Sequence, residues 1–251
     1  MPAGFPNWTA GIEALRAFAR HGADFLEVAV PHHTPAWDGP DTAAAHVQAL
    51  DQGARMAHVV STIRLTITAT AAPVIAAAYW ESVMDRGMNR FAQDLAQAGA
   101  AGARVIDLPP GEAAGWAASA RAAGLHTAQI IAPGPDAVDL DPLNSTEPGW
   151  IHLSAGEAPT GTDGPADLAP LLELLDHIRA ASPLPVAVDI GTFTPQSTVA
   201  VAPYTDAVVV GSPLIRPLLD PHGAGLDSAL EQLRAFANAL HSDAPRPPRG
   251  A

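Results

Sequence analysis

Seven short runs of almost unbroken apolar residues recur along the chain, at 24–30 (DFLEVAV), 73–79 (PVIAAAY), 103–108 (ARVIDL), 126–132 (HTAQIIA), 150–154 (WIHLS), 184–190 (LPVAVDI) and 206–210 (DAVVV). A strand with one wet face alternates apolar and polar residues. These runs do not alternate, so both of their faces must be covered, as in a parallel sheet flanked by helices. Helical stretches separate them: 9–21, 41–52, 54–66, 89–99, 111–123, 167–181, 194–203 and 225–241. In the first of these Ile12, Leu15, Phe18 and Ala19 fall on one helical face, and Gly22 stops it. The count is one strand short of a (β/α)8 TIM barrel. The opening MPAGFPNW reads as the loop after a missing strand. The expectation is therefore an α/β barrel whose first strand is truncated, either absent or supplied by upstream sequence. It forms one domain over residues 1–242, with a disordered Pro-rich tail, DAPRPPRGA, at 243–251.

What the barrel can do is narrowed by what the chain lacks. Its net charge of −13 and the lack of any basic run speak against nucleic acid or an anionic membrane as partner. There are no cysteines, which removes disulfides, thiolate nucleophiles and thiolate metal sites. All 13 basic residues are arginine, so no lysine can form a Schiff base with a carbonyl substrate or anchor pyridoxal phosphate. No apolar run is long enough to span a bilayer and no export signal opens the chain, so a cytoplasmic protein is expected.

Barrels of this type carry their chemistry at the C-terminal ends of the strands. Glu27 lies inside the first apolar run and Asp38 in the loop after it; Tyr79, Asp107 and His152 fall at later strand ends. A charge within an apolar strand must be paired or functional, and no arginine suggests itself as a partner for Glu27. A half-buried carboxylate paired with an arginine, and for Asp38 a turn residue before Gly39, stay open as structural readings. DIGTFTP at 189–195 and VVVGSPLI at 208–215 each place a glycine between a strand and a helix start. Such turns let backbone N–H groups and a helix dipole meet an anion, and late in a barrel they suit a phosphate. EAPTGTDGP at 157–165 is long enough to act as a lid. His32 and His33 could join Glu27 and Asp38 around a divalent metal. Adjacent side chains on an extended chain point opposite ways, however, so the expectation is two solvated loop histidines and no metal.

The stretch LEVAVPHHTPAWDGP at 26–40 resembles the signature of the tryptophan synthase α subunit family, in which a strand Glu precedes Asp-Gly-Pro by eleven residues. AYWESVMDRG at 78–87, VIDLP at 105–109, WIHLSAGEAPTG at 150–161 and the two glycine turns follow the family's order and spacing. The resemblance implies retro-aldol cleavage of indole-3-glycerol phosphate to indole and glyceraldehyde 3-phosphate, with no cofactor, next to a β subunit as possible partner. By resemblance Glu27 is the general acid/base, its apolar strand holding a labile proton near neutral pH, and Asp38 stays ionised and accepts the indole N–H. Tyr79, Asp107 and His152 would contact the substrate. Gly161, Gly191, Thr192, Gly211 and Ser212 would hold its phosphate, and Thr160 would help close the lid over Asp38.

Departures from the family pattern are concentrated around the site. His32, His33 and Thr34 replace the usual Phe-Ser-Asp before Pro35, and Gly156 stands for an arginine of the sixth loop. His152 stands for a tyrosine, and Trp80 and Glu81 for asparagines on the side facing the partner. The alternative these substitutions raise is a repurposed paralogue, acting on a related indole phosphate or regulating a β-subunit partner.

Overall fold

The computed structural model describes residues 1–131, 146–154, 168–189, 194–220 and 225–240. Seven strands form one continuous parallel sheet in chain order: β1 (Leu26–Ala29), β2 (Val74–Ala78), β3 (Gly102–Val105), β4 (His126–Ile131), β5 (Trp150–Ser154), β6 (Val186–Asp189) and β7 (Ala207–Val209). Six sit inside the apolar runs, and β3 begins one residue ahead of its run, at Gly102. The helices between them are α1 (Trp8–Arg20), α2 (Pro40–Asp51), α3 (Met56–Ile67), α4 (Trp80–Arg86), α5 (Met88–Ala98), α6 (Ala113–Ala122), α7 (Ala169–Ala181), α8 (Pro195–Val201), α9 (Ser212–Leu219) and α10 (Gly225–Leu240).

The opening residues correct one expectation. Rather than a loop, Met1–Ala3 run parallel to β1: the Ala29 amide donates to Met1 O at 2.9 Å, and the Ala3 amide to Ala29 O at 3.0 Å. The Met1 amine donates to Glu27 O at 2.7 Å. A short edge therefore lies beside β1 where the eighth barrel strand belongs.

α1 begins where the Asn7 side chain accepts from the Ala10 amide at 3.0 Å, the usual device for an orphaned first-turn donor. It buries Ile12, Leu15 and Phe18 as the spacing predicts, together with Gly11, Ala14 and Ala17. The stretch expected to form a single helix at 89–99 is preceded by a second one. Gly87, at φ 80°, turns the chain between α4 and α5, a conformation that other residues adopt only with strain.

The sheet has two sides with different work. On β2, Val74, Ala76 and Ala78 pack against the helices; on β5, Ile151 and Leu153 do the same. Full burial of a side chain such as Leu153 contributes about 1.5–3 kcal/mol, so this outer layer carries the fold. The alternate residues, Ile75, Ala77 and His152 among them, face the barrel interior. Glu27 on β1 is opposite Ile75, and Ala77 is opposite both Ala29 and Arg104. The proposed tail at 243–251 and the lid stretch at 157–165 lie outside the described residues.

Candidate active site

Glu27 is paired with an arginine, the structural reading that its sequence setting left open, although no partner suggested itself there. Arg104, from β3, meets it with two hydrogen bonds: Nε to Oε2 at 3.0 Å and Nη2 to Oε1 at 2.7 Å. Two strand spacings, roughly 10 Å, separate β1 from β3. Only a long pair such as Glu and Arg spans that gap, and it does so over β2, where Ile75 is level with Glu27 and Ala77 with Arg104. The arginine is 8% exposed. Burial by itself pushes the Glu27 carboxyl up, but the Arg104 charge and its two hydrogen bonds outweigh it and hold the group at about 2. The expectation of a labile proton near neutral pH is thus overturned. Burial would likewise lower the Arg104 guanidinium; Glu27 first, then Asp189 at the end of β6 and Asp38, hold it above its ordinary value.

His152 lies on the inner face of β5, 2% exposed, and its Nε2 has no hydrogen-bond partner among the described residues. Burial, reinforced by the nearby Arg104 charge, depresses its pKa to about 3, with Glu27 opposing. It is therefore a neutral, polar wall of the cavity at ordinary pH.

Asp38 is held from the other side. Tyr79, at the end of β2, donates its hydroxyl to Asp38 Oδ2 at 2.8 Å and accepts the Trp37 amide at 3.1 Å. His46, one turn into α2 and 1% exposed, places Nε2 3.4 Å from the same oxygen. Burial and then the adjacent Asp38 charge push the Tyr79 phenol well above its ordinary value, so it stays a donor. Sequence reasoning missed both Arg104 and His46. The available signal for Arg104 was a positive charge inside the run ARVIDL, matching the negative charge inside LEVAV.

The paired histidines also differ from expectation. His33 is exposed, but His32 is buried and stacks on Tyr79 with ring centroids 4.5 Å apart and planes 12° apart. Its ring therefore belongs to the wall behind Asp38 rather than to solvent. Among the described residues no group of three or more His, Asp and Glu could hold a metal.

Asp107 accepts the Trp80 amide at 2.6 Å and so caps the start of α4. Gly211 precedes α9, Ser212 is its first residue, and a Cβ at Gly211 would meet nothing nearer than Thr42 Oγ1 at 4.0 Å. A backbone this open at a helix N-terminus suits the approach of an anion. Thr160, Gly161, Gly191 and Thr192 lie outside the described residues.

The family described as the tryptophan synthase alpha chain matches residues 1–244. The tryptophan synthase alpha chain of Streptomyces coelicolor is 36% identical over 241 residues, spanning 96% of this chain and 88% of that one. That of Salinispora tropica is 34% identical over 247 residues, spanning 98% and 92%. Among solved structures, Mycobacterium tuberculosis tryptophan synthase superposes with a TM-score of 0.84 at 28% identity, covering 96% of this chain and 91% of that one. The Legionella pneumophila alpha subunit superposes with a TM-score of 0.84 at 26% identity, covering 96% and 90%.

Proposed function

The chain belongs to the tryptophan synthase alpha chain family, and we propose that it cleaves indole-3-glycerol phosphate to indole and glyceraldehyde 3-phosphate. One observation carries this reading: two carboxylates, Glu27 and Asp38, converge on the same end of the barrel, each fixed by a different partner. The reaction moves one proton from the side-chain hydroxyl to the ring carbon and needs an acceptor for the ring N–H. Glu27 is the group that moves the proton, and Asp38 accepts the ring N–H. One Asp38 oxygen accepts the Tyr79 hydroxyl and lies 3.4 Å from His46 Nε2, whereas Oδ1 takes no partner among the described residues. Tyr79 and the apolar inner residues of β2 line the slot for the ring.

Gly211 and Ser212 would receive the phosphate, with Gly161, Gly191 and Thr192 completing the grip and Thr160 closing the lid. His152 would face the substrate, and Asp107 would act on it indirectly through the α4 cap. The β subunit of tryptophan synthase is the partner that fits the family, with Trp37 (64% exposed) and the exposed Glu81 on the side it would meet. No helix among the described residues is long and apolar enough to cross a membrane; a cytoplasmic location goes with the biosynthetic role.

Incubating the protein with indole-3-glycerol phosphate, alone and with a tryptophan synthase β subunit, and measuring free indole tests the reading. Indole should appear, faster beside the β subunit, and vanish in Glu27→Gln. Absence of indole under both conditions would leave a non-cleaving paralogue in its place.

A further inference from the structure

We propose that Arg104 is a positioning residue: through its two-pronged contact it holds Glu27 as a carboxylate, so that Glu27 enters the reaction as a base and becomes the acid only afterwards. This deepens the reading above and rests on it. The supporting observation is geometric. Both hydrogen bonds, at 2.7 and 3.0 Å, run from one buried guanidinium to the two oxygens of one carboxylate. A fork–fork contact of this kind fixes the carboxylate plane as well as its charge. The groups facing Glu27 are Arg104 from β3, His152 from β5 and the Met1 amine beside β1, while Asp189 from β6 and Asp38 face Arg104. Of these, Arg104 alone reaches the Glu27 oxygens among the contacts of the described residues. The Met1 amine bonds the backbone oxygen instead.

The order of events follows from proton bookkeeping. A carboxylate cannot begin by protonating the ring carbon. It can take the proton of the side-chain hydroxyl and hand that proton to the ring carbon, which becomes tetrahedral while Asp38 balances the charge left at the ring nitrogen. The alkoxide oxygen then forms the aldehyde C=O as the bond to the ring carbon breaks, and the electron pair of that bond returns to the ring. Glu27 ends as the carboxylate it was at the start, and no external proton, oxidant or reductant is consumed. An acid-first route would require Glu27 to lose its arginine contact before the first step.

The two orders separate in the pH profile of kcat/KM for indole release. For wild type it should stay flat from about pH 8 down to about pH 5. In Arg104→Leu and Arg104→Gln burial is no longer offset, so the acid limb should move up into that range, with activity falling about tenfold per pH unit below it. Arg104→Lys should restore the flat profile at a reduced rate, and KM should change less than kcat throughout. Neutral variants whose profiles superimpose on wild type, or which become faster than wild type as pH falls, overturn the proposal. Should both neutral variants fail to fold, the carboxyl of Glu27 can be followed in wild type with 13C-labelled glutamate and Glu27→Gln as blank. A signal that titrates near neutral pH then overturns it, and one already ionised there upholds it. A wild type that releases no indole at any pH sinks the functional reading itself, whereas cleavage indifferent to residue 104 sinks this role alone.

Discussion

The His32 amide donates to Nδ1 of His46 at 3.0 Å, which makes Nδ1 the acceptor and leaves Nε2 to carry the ring proton toward Asp38. The tautomer of a buried histidine is thus set by a backbone donor in the loop between β1 and α2. His46→Ala should remove the buried imidazole that packs 3.4 Å from Asp38 without completing a hydrogen bond, so kcat/KM for indole release should fall by less than the roughly 1 kcal/mol of a full hydrogen bond. His46→Gln, with an amide donor of similar reach, should recover part of the loss. Equal activity in His46→Ala and wild type would remove this residue from the site.

Tyr79→Phe keeps the ring stacked on His32 but deletes the hydroxyl that donates to Asp38 and accepts the Trp37 amide. Two hydrogen bonds are lost with little change in shape, so a stability cost of about 1–3 kcal/mol is expected in urea unfolding. Asp38 should also become less selective for ligands that carry an N–H. A variant as stable as wild type would mean that the loop is held by other contacts.

The two carboxylates should fail differently. Glu27→Gln cannot carry a proton, and its indole release should fall by about 10²–10⁴-fold with ligand affinity nearly kept. Asp38→Asn should also be slow, but its loss should extend to binding of indole-containing ligands, while analogues without the ring N–H bind both proteins alike. Matching calorimetric affinities for an indole ligand in Asp38→Asn and wild type would contradict the role.

Acid should destabilise the fold in two stages. His152 is held at about 3, below its ordinary 6.5, so between these values the unfolded chain binds a proton that the folded chain does not. Stability is then lost as pH falls from 6.5 toward 3. Glu27, held at about 2 against an ordinary 4.5, contributes stability that is complete above 4.5 and is lost as pH falls toward 2. The urea midpoint should therefore start to drop below about pH 6.5, before any carboxylate is involved. In His152→Asn that first stage should shrink to the part contributed by His32, which burial also holds below its ordinary value; a drop of the same size in the variant would assign it to another group.

At the phosphate turn, Ser212→Ala should weaken an indole-alkyl phosphate by roughly 1 kcal/mol or more. Gly211→Ala is the sharper test, because the backbone there has room for a methyl group inside the protein. Its stability should stay within about 0.5 kcal/mol of wild type, while phosphate affinity drops because the methyl group obstructs the approach of the anion. Unchanged affinity in both would place the phosphate elsewhere.

The sheet was legible because burial on both faces leaves a signal that survives in every strand: seven runs, seven strands. α4 was not, because seven residues carry little periodicity and Gly87 joins them to α5 without a break in composition. Glu27 and Asp38 could be picked out by their setting and resemblance. Arg104 could not be paired with Glu27 in the same way, since the two are 77 residues apart in sequence and meet only when β2 lies between them. His32 read as a solvated loop residue because the sequence does not show that the Tyr79 ring turns back to cover it.

Ala77 is level with Arg104 in the ladder, on the same face of the sheet, and 1% exposed. A larger side chain at 77 would meet the base of Arg104, so position 77 stays small for as long as the arginine crosses to Glu27. Inheritance should treat positions 27, 77 and 104 as linked: a relative with a bulky residue at 77 is expected to have given up the arginine at 104, and one that regains the arginine must first shrink its neighbour. The pair is thus open to evolution only along an ordered path, with the silent methyl group as its first step.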